Sequence, residues 1–255
     1  MPYKLYYWPG IQGRGEFVRL ALEAAGAAYV DVARGSEGGT AGDDAQGMAA
    51  MAYYVEDAAI ARPPFACPFL LDGKQVIGQT AAILLHLGPK LALVGKSEAD
   101  RLWTHQIQLT IADMVVEAHD THHPIAGSLY YEDQRTEALR RAADFRVARL
   151  PKFLLWFEAL LARNPRNAGR LAAAKALHLV GARLSYADLS LFQLVEGLLY
   201  AFPKAMRRQL RCVPHVAALH VQVAQHKRVA AYLASERRLA FNEDGIFRRY
   251  PELDG

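Results

Sequence analysis

Residues 3–16 read YKLYYWPGIQGRGE, and this stretch decides how the chain begins to fold. The apolar and aromatic run from Tyr3 to Trp8 favours a short strand, and the residues that follow, up to Gly13, favour a turn. Tyr7 therefore lies at the end of a strand, opposite the N-terminus of the next helix. A phenol has an unperturbed pKa of about 10, so at neutral pH it is a neutral donor for a thiolate or an oxyanion. The position also fits a tyrosine that only packs its ring.

Composition limits the classes of protein that the chain can belong to. It has 255 residues, of which 52% are hydrophobic, enough for one large domain or two smaller ones. The net charge of +4 fits a small acidic ligand, and basic residues alternate with Asp and Glu, so no nucleic-acid partner is expected. No apolar run reaches the ~18 residues of a membrane span, and the N-terminus lacks the pattern of a signal peptide. A soluble cytoplasmic protein without a membrane partner is expected.

No metal or nucleotide cofactor is expected either. Cys67 and Cys212 lack the spacing of metal ligands and do not suggest a disulfide framework, which fits a reducing compartment. The glycines at positions 10, 13 and 15 are in the wrong order for a dinucleotide fingerprint. No Gly-Lys-Ser/Thr sequence supports a nucleotide phosphate loop.

The first part of the chain, residues 1–88, alternates β-type and helical patterns. Strands are predicted at 4–8, 28–33, 68–71 and 75–77, and helices at 17–25 and 79–87. Gly26 ends the first helix, and Asp72-Gly73 forms a hairpin turn. This order, βαβ followed by ββα, predicts a mixed four-stranded sheet, parallel in its first part and antiparallel at one edge. The irregular stretch 35–62 has room for one short helix.

The second part of the chain, residues 98–255, reads as an all-α helical bundle. Helices are predicted at 99–119, 132–162, 186–200, 214–225 and 228–233, with no strand among them. Residues 89–97 are predicted to be a linker, because Gly88 and Pro89 would end the preceding helix. Ser185 and Asp188 form a capping box for the helix at 186–200, which contributes about 1 kcal/mol of stability.

Five motifs in order resemble those of cytosolic glutathione transferases, nearest the tyrosine-using sigma, pi and mu types. YWP at 7–9 with GRGE at 13–16 resembles the family's Tyr-Phe…Arg-Gly-Arg-Ala-Glu opening. CPFL at 67–70 resembles Val-Pro-Val-Leu before strand 3, and QTAAI at 79–83 resembles Gln-Ser-x-Ala-Ile at helix 3. The capping box resembles that of helix 6, and VPHVAAL at 213–219 through YLAS at 232–235 resembles the closing helices. The resemblance covers essentially the whole chain. It implies a thioredoxin-like first domain, a homodimer, glutathione as co-substrate and a small hydrophobic electrophile.

The resemblance makes Tyr7 the catalytic tyrosine, whose hydroxyl donates to the glutathione thiolate. Lowering a thiol pKa of about 8.5 by ~2 units requires about 2.7 kcal/mol of preferential thiolate stabilisation. One well-placed phenol can supply much of it. Tyr6 is the rival, but strand alternation points it to the opposite face of the sheet.

The resemblance also implies which residues bind glutathione. Pro68 is expected to follow a cis peptide bond, so that the Cys67 backbone pairs with the cysteinyl part of glutathione. Gln79 and Thr80, at a helix N-terminus, are expected to hold the γ-glutamyl carboxylate. Arg14 is expected near the thiol and the glycyl end, with a solvated or domain-bridging arginine as the alternative. For Cys67 the alternative is a mixed disulfide with glutathione, although thioltransferases place that cysteine at the position of Tyr7.

Two departures from the family pattern concern how glutathione is anchored. Between strand 2 and the cis-proline, residues 36–61 carry no Lys or Arg, and Arg62 is the only basic side chain there. The contact for the glycyl carboxylate is therefore not assigned. An Asp that reaches the partner subunit's glutathione in sigma-like enzymes is replaced near Gln108 or Leu109. Weaker or differently anchored glutathione binding is expected.

The second substrate is expected between the two domains. Its predicted walls are on the first loop and on one face of the long helix: Trp8, Ile11, Gln12, Met114, Ala118 and His119. The cluster His119, His122 and His123 fits pocket lining, helix-end packing or a general acid better than a metal site, because no matching carboxylate or thiolate is evident. The tail at 238–255 is either a packed segment or a flap over this pocket.

These features predict a glutathione transferase that conjugates glutathione to a small electrophile. A glutathione-dependent isomerase, peroxidase or ether-cleaving enzyme is the nearest alternative. A binding protein that kept the fold and lost efficient catalysis is the alternative from another class.

Overall fold

A computed structural model describes residues 1–35 and 47–255. The first part of the chain contains, in order, β1 (Tyr3–Tyr6), α1 (Gly15–Ala25), β2 (Tyr29–Asp31), α2 (Gly47–Glu56), β3 (Phe69–Asp72), β4 (Gln75–Gly78) and α3 (Thr80–Lys90). The short helix that the sequence allowed within 35–62 is α2.

The four strands form one mixed sheet in the order β2-β1-β3-β4. β1 pairs in parallel with β2 and antiparallel with β3, and β3 pairs antiparallel with β4. Leu5 lies opposite Leu70, and both are fully buried against α1 and α3. The predicted mixed sheet is confirmed, including the antiparallel edge.

Successive residues of β1 face opposite sides of the sheet, as strand geometry requires. Tyr6 stacks on Phe69 with ring centroids 4.5 Å apart and packs with Tyr54 of α2. β1 ends at Tyr6, so Tyr7 is the first residue after the strand. The prediction that Tyr6 points away from Tyr7's side is confirmed.

In the second part of the chain, every regular element that the structure describes is a helix. It contains α4 (Glu98–Asp120), α5 (Arg135–Asp144), α6 (Leu150–Arg163), α7 (Tyr186–Ala201), α8 (Pro203–Leu210), α9 (Pro214–Gln225) and α10 (Lys227–Leu233). The single helix predicted at 132–162 is instead α5 and α6 joined by a π-helical turn, Phe145–Arg149. Pro151 follows this turn and has no N–H for the Val147 carbonyl, which explains why the regular helix is interrupted here.

The capping box predicted at the start of α7 is confirmed. Ser185 Oγ accepts from the Asp188 N–H, and Asp188 Oδ2 accepts from the Ser185 N–H at 2.8 Å. Asp188 is fully buried and also accepts from the Leu179 N–H at 2.7 Å. These bonds fix the start of α7, whose residues are almost all buried in the centre of the helical part.

Two helix predictions need correction. α3 does not end before Gly88 and Pro89 but continues to Lys90, so residues 91–97 connect it to α4. Pro89 is tolerated in the last turn because the carbonyl it leaves unbonded belongs to Leu85, which is 42% exposed and open to water. The sequence analysis also missed α8, although Pro203 at its first position is a typical helix start.

The largest core cluster joins the two parts of the chain. Phe17, Leu20 and Leu84 from α1 and α3 belong to the same buried cluster as Tyr186 and Leu189 of α7. α1 therefore packs between the sheet and the helical part, and its N-terminus is fixed from both sides. A domain boundary near residue 88 stays a prediction. Among the described residues, no helix is long and apolar enough to cross a membrane.

Candidate active site

Tyr7 lies directly after β1 and packs against the N-terminus of α1. Its side chain is buried, with 4% of the residue exposed. The backbone N–H of Arg14 donates to the Tyr7 hydroxyl oxygen at 2.9 Å. Because none of the residues described by the structure accepts the hydroxyl proton of Tyr7, that proton is available to an external acceptor.

Two glycines make the slot in which the Tyr7 ring lies. Gly13 has φ +44°, and a Cβ atom built on it would overlap the Tyr7 hydroxyl oxygen. A Cβ atom on Gly15 would lie 2.6 Å from Tyr7 Cγ. Both positions therefore require glycine, because any side chain would displace the phenol.

Burial raises the pKa of Tyr7 above its usual value near 10. The hydrogen bond from the Arg14 N–H and the charges of Arg14 and Arg19 oppose this rise without cancelling it. Tyr7 is therefore a neutral phenol at physiological pH and acts as a hydrogen-bond donor rather than a phenolate base.

A cavity of about 640 Å³ opens beside Tyr7 between the sheet-containing part and α4. Its walls include all five residues predicted to bind glutathione: Arg14, Cys67, Pro68, Gln79 and Thr80. Tyr7 itself lies behind this wall, next to Arg14. The sequence analysis missed the lining residues Phe17, Phe65, His105 and Ala112, and it noted Gln108 and Leu109 only as replacements of a family residue. Positions 105, 108, 109 and 112 share one face of α4, so helical spacing was the available signal.

The N-terminus of α3 forms one end of this cavity. Gln79 adopts φ +63°, a rare conformation for a residue other than glycine, and no side chain caps the helix. Thr80 Oγ1 donates to the Arg14 carbonyl at 3.4 Å, which links α3 to the start of α1. Uncapped amides at a helix N-terminus attract anions, and rare backbone conformations of this kind cluster at functional sites.

The Cys67–Pro68 peptide bond is cis, as predicted from the sequence. Cys67 is partly buried, and burial raises the pKa of its thiol despite the opposing effect of the N–H groups of Trp8. The thiol is therefore protonated at neutral pH, which does not favour the redox role considered for it.

The predicted walls of the second-substrate pocket do not come together. Gln12 is 4% exposed; its amide donates to the Leu239 carbonyl and accepts from Gln193 at 2.8 Å. Met114 and Ala118 are buried in the helical core, because their face of α4 points into the bundle. None of the six predicted wall residues is among the described residues that line the cavity. The three not yet placed, Trp8, Ile11 and His119, are partly or largely exposed.

The C-terminal tail, residues 238–255, is a packed segment rather than an open flap. Asn242 donates to the Gly10 carbonyl, and the Phe247 ring occupies the space that a side chain at Gly197 would need. Asp254 accepts from the Lys204 N–H at 2.8 Å at the start of α8. Between the tail and the first loop, the cavity beside Gln12 and Gly13 holds only about 10 Å³.

One of the three clustered histidines, His122, holds this tail. His122 Nε2 donates to the Ile246 carbonyl at 2.8 Å, so its Nδ1 accepts from His123 Nδ1. His119 stacks on His123 with ring centroids 4.9 Å apart. Burial lowers the pKa of His122 to about 3 and that of His123 to about 4, so both rings are neutral at physiological pH. Within residues 1–35 and 47–255, no group of three or more His, Cys, Asp or Glu side chains, these histidines included, is arranged so that it could hold a metal ion.

The contact for the glycyl carboxylate of glutathione was left unassigned from the sequence. Part of the segment in question, residues 36–46, lies outside the described residues. Arg62, its only basic residue, is exposed and does not line the cavity.

Comparisons with known proteins show what this chain is similar to in sequence and in fold. Residues 119–236 match the family model of the glutathione S-transferase C-terminal domain. The glutathione S-transferase of Plasmodium falciparum (isolate 3D7) is 26% identical over 207 residues, 80% of this chain and 83% of that protein. The glutathione S-transferase P of Caenorhabditis elegans is 28% identical over 178 residues, 69% of this chain and 72% of that protein. The Pi-class glutathione S-transferase structure of Onchocerca volvulus has a TM-score of 0.68 at 23% identity, covering 96% of this chain and 99% of that chain, and so shares its fold.

Proposed function

We propose that this chain is a glutathione S-transferase that binds glutathione in the cavity beside Tyr7 and conjugates it to a small hydrophobic electrophile. One observation carries the proposal. The five residues that the family resemblance assigns to glutathione, from three separate stretches of sequence, line one cavity next to the Tyr7 hydroxyl.

The cavity offers binding partners for the γ-glutamyl and cysteinyl residues of glutathione. The free amides at the start of α3, with Gln79 and Thr80, receive the γ-glutamyl carboxylate, since a helix N-terminus favours negative charge. The backbone of Cys67 pairs with the cysteinyl residue in the manner of an added strand. This places the thiol toward Arg14 and the Tyr7 hydroxyl.

Tyr7 stabilises the thiolate by donating its hydroxyl proton, which no described residue accepts. A hydrogen bond to a charged acceptor is stronger than one to a neutral acceptor, so the bond favours thiolate over thiol. Lowering the thiol pKa by ~2 units corresponds to about 2.7 kcal/mol of this preference. The positive charge of Arg14 acts in the same direction.

The packed tail limits the side from which the electrophile approaches. The space beside Gln12 and Gly13 has room for no more than a water molecule, so the electrophile reaches the sulfur from another side. Trp8, which is 45% exposed, and His119, whose side chain is 29% exposed, are the proposed contacts. His119 lies near Arg14, whose charge adds to the desolvation that lowers the pKa of this histidine.

We also propose that the enzyme is a homodimer that associates through α4. Leu102, Leu109 and Val116 are exposed at seven-residue intervals and form an apolar stripe along this helix. Phe65, at the rim of the cavity, is 92% exposed. An apolar stripe and an exposed aromatic side chain on one face are typical of a protein interface.

The test compares the wild type with Tyr7→Phe and Tyr186→Phe. Tyr186 is a matched control, because it is buried and its hydroxyl has no hydrogen-bond partner among the described residues. Glutathione affinity is measured by calorimetry, and conjugation is measured with a chlorodinitrobenzene-type electrophile. We expect Tyr7→Phe to keep the affinity within a few-fold and to lose most of the conjugation rate, with Tyr186→Phe near wild type. Absence of glutathione binding by the wild type would refute the proposal.

A binding protein of this family without efficient catalysis is the second candidate, because the tail leaves little room beside the first loop. Tight glutathione binding without conjugation of any electrophile in a panel would favour it. Turnover of a peroxide, a ketosteroid or an aryl ether in that panel would instead identify the other glutathione-dependent activities.

A further inference from the structure

Arg19 of α1 is a fully buried arginine next to Tyr7. Its Cζ atom lies 5.8 Å from the centroid of the Tyr7 ring, over the ring face. The same guanidinium donates through Nη1 to the carbonyls of Ile11 and Gln12, at 3.4 and 3.3 Å. Arg19 thus contacts both the catalytic ring and the turn that leads to Arg14.

The turn from Ile11 to Arg14 determines where the Tyr7 hydroxyl lies. Gly13 touches the hydroxyl oxygen, and the Arg14 N–H donates to it. Gly13 gives this turn more accessible backbone conformations than another residue would, so the turn depends on outside contacts to keep one geometry. The two bonds from Arg19 supply such contacts at the start of this turn.

Two carboxylates on opposite sides hold Arg19 in place. Nε donates to Asp31 of β2 at 2.6 Å, and Nη1 donates to Glu16 at 3.3 Å. A planar guanidinium can bond two carboxylates and two carbonyls in one fixed orientation, whereas a lysine ammonium cannot.

Glu16 is itself held by the helical part of the chain. The Tyr232 hydroxyl donates to Glu16 Oε1 at 2.6 Å, and Arg238 pairs with the same oxygen. Glu16 and Arg19 are both 0% exposed; Arg19 and Arg238 pair with Glu16, and Arg19 and the more exposed Arg34 pair with Asp31. Removing the Tyr232 hydroxyl therefore leaves every charge of the cluster paired.

We propose that Arg19 is a positioning residue for the reaction: held by Glu16 and Asp31, it fixes the turn that sets the Tyr7 hydroxyl, and Tyr232 couples this arrangement to the helical part. The proposal rests on the function proposed for Tyr7. The charged and titratable groups that face Tyr7 are Arg14, Arg19 and Cys67. Arg19 acts on the glutathione sulfur only through Tyr7 and the turn.

The test uses two variants. Arg19→Lys keeps the positive charge and loses the planar set of N–H donors, and Tyr232→Phe removes one hydroxyl. Tyr131→Phe is the matched control, because Tyr131 is also buried and its hydroxyl donates to a carboxylate, Glu252, that belongs to the tail. Two quantities are measured. One is the hydrogen-exchange rate of the Arg14 amide in the unliganded protein, and the other is the pKa of the bound thiol from its thiolate absorbance.

We expect Arg19→Lys to speed exchange of the Arg14 amide about tenfold and to raise the bound-thiol pKa by about one unit, a tenfold change in ionisation. In kinetics, kcat below that pKa falls about tenfold while the glutathione KM changes less than about twofold. Tyr232→Phe shifts both quantities in the same direction by a smaller amount, and Tyr131→Phe shifts neither.

A folded Arg19→Lys variant with wild-type exchange and wild-type thiol pKa would overturn the proposal. If Arg19→Lys does not fold, Tyr232→Phe decides: values equal to those of Tyr131→Phe reject the coupling. A wild type that binds no glutathione defeats the proposed function instead. Even then, the exchange rate of the Arg14 amide in the unliganded variants still reports whether Arg19 fixes the turn.

Discussion

The Arg14 backbone N–H donates to the Tyr7 hydroxyl oxygen at 2.9 Å, so the residue that opens α1 sets the direction of the phenol. An oxygen that already accepts one bond directs its own proton elsewhere, here toward a ligand. The contact uses a backbone group and is therefore independent of the Arg14 side chain, which remains free to line the cavity.

Replacing Gly13 with alanine is expected to damage catalysis. The new Cβ atom would overlap the Tyr7 hydroxyl, and the positive φ of Gly13 disfavours alanine by about 1 kcal/mol in addition. We expect kcat to fall at least about tenfold, because a small displacement of a catalytic group is costly. Gly10→Ala is the matched control in steady-state kinetics, since nothing lies within 4 Å of the Cβ position there. Equal kcat values for Gly13→Ala and Gly10→Ala would contradict the proposal that Gly13 leaves space for the Tyr7 ring.

Replacing Thr80 with alanine is expected to weaken glutathione binding about tenfold, or ~1.4 kcal/mol. The hydroxyl lies in the cavity wall, and it links the start of α3 to the Arg14 carbonyl. Calorimetric titration with glutathione measures the effect. Thr110→Ala removes an exposed threonine hydroxyl that donates to the Gln106 carbonyl of α4 and should leave the affinity unchanged. The prediction fails if Thr80→Ala binds as tightly as Thr110→Ala.

His122 makes the stability of the folded protein depend on pH. Its pKa falls from 6.5 to about 3 on folding, mainly through burial, so the folded state holds the neutral ring. This contribution is fully present above pH 6.5 and is lost as the pH falls toward about 3, because the unfolded chain binds the proton first.

Urea denaturation between pH 7 and pH 4 measures this dependence. His122→Gln keeps a donor for the Ile246 carbonyl and removes the titration, so its stability should fall less steeply with acidification, by on the order of 1 to 3 kcal/mol over this range. His123 and His119 titrate in both proteins, and because both rings contact His122, the difference between the curves includes any change in their pKa values. Parallel curves for wild type and His122→Gln would show that the ring is not held neutral.

A charged residue in the apolar stripe of α4 is expected to dissociate the proposed dimer. Leu109 is 47% exposed in the middle of this stripe, so Leu109→Glu would bury a charge at the interface. Sedimentation velocity measures the mass. Leu155→Glu on α6 is the matched control, because Leu155 is similarly exposed, at 53%. A wild type that sediments as a monomer, or a Leu109→Glu variant that stays dimeric, speaks against an interface at α4.

Local sequence features predicted the elements that carry the site. The strand and turn around Tyr7 and the helix start at Gln79 depend on residues within a few positions of one another, whereas the cis bond before Pro68 was implied by the family resemblance. The Ser185–Asp188 capping box is equally local, and the structure contains it. Where a residue's own neighbours decide the conformation, the sequence alone is sufficient.

The face that α4 presents to the cavity could not be predicted in this way. Apolar residues occur all around the helix, with Met114 and Ile111 buried in the core and Leu109 exposed. Its periodicity therefore does not select one face, and the structure places Met114 and Ala118, which were predicted as pocket walls, in the helical core. Packing against α7 and α3 orients the helix.

By itself, the sequence determined that this chain starts with a strand, a glycine turn and a helix around Tyr7, because those signals act over a few residues. Only the tertiary structure decided that Arg19 donates to the Gln12 carbonyl of this turn and that the tail closes the space beside Gln12. The bonds that do so join residues up to 227 positions apart, as between Gln12 and Leu239. Such contacts follow from packing of the whole chain, since no local pattern encodes which distant carbonyl a buried side chain will meet.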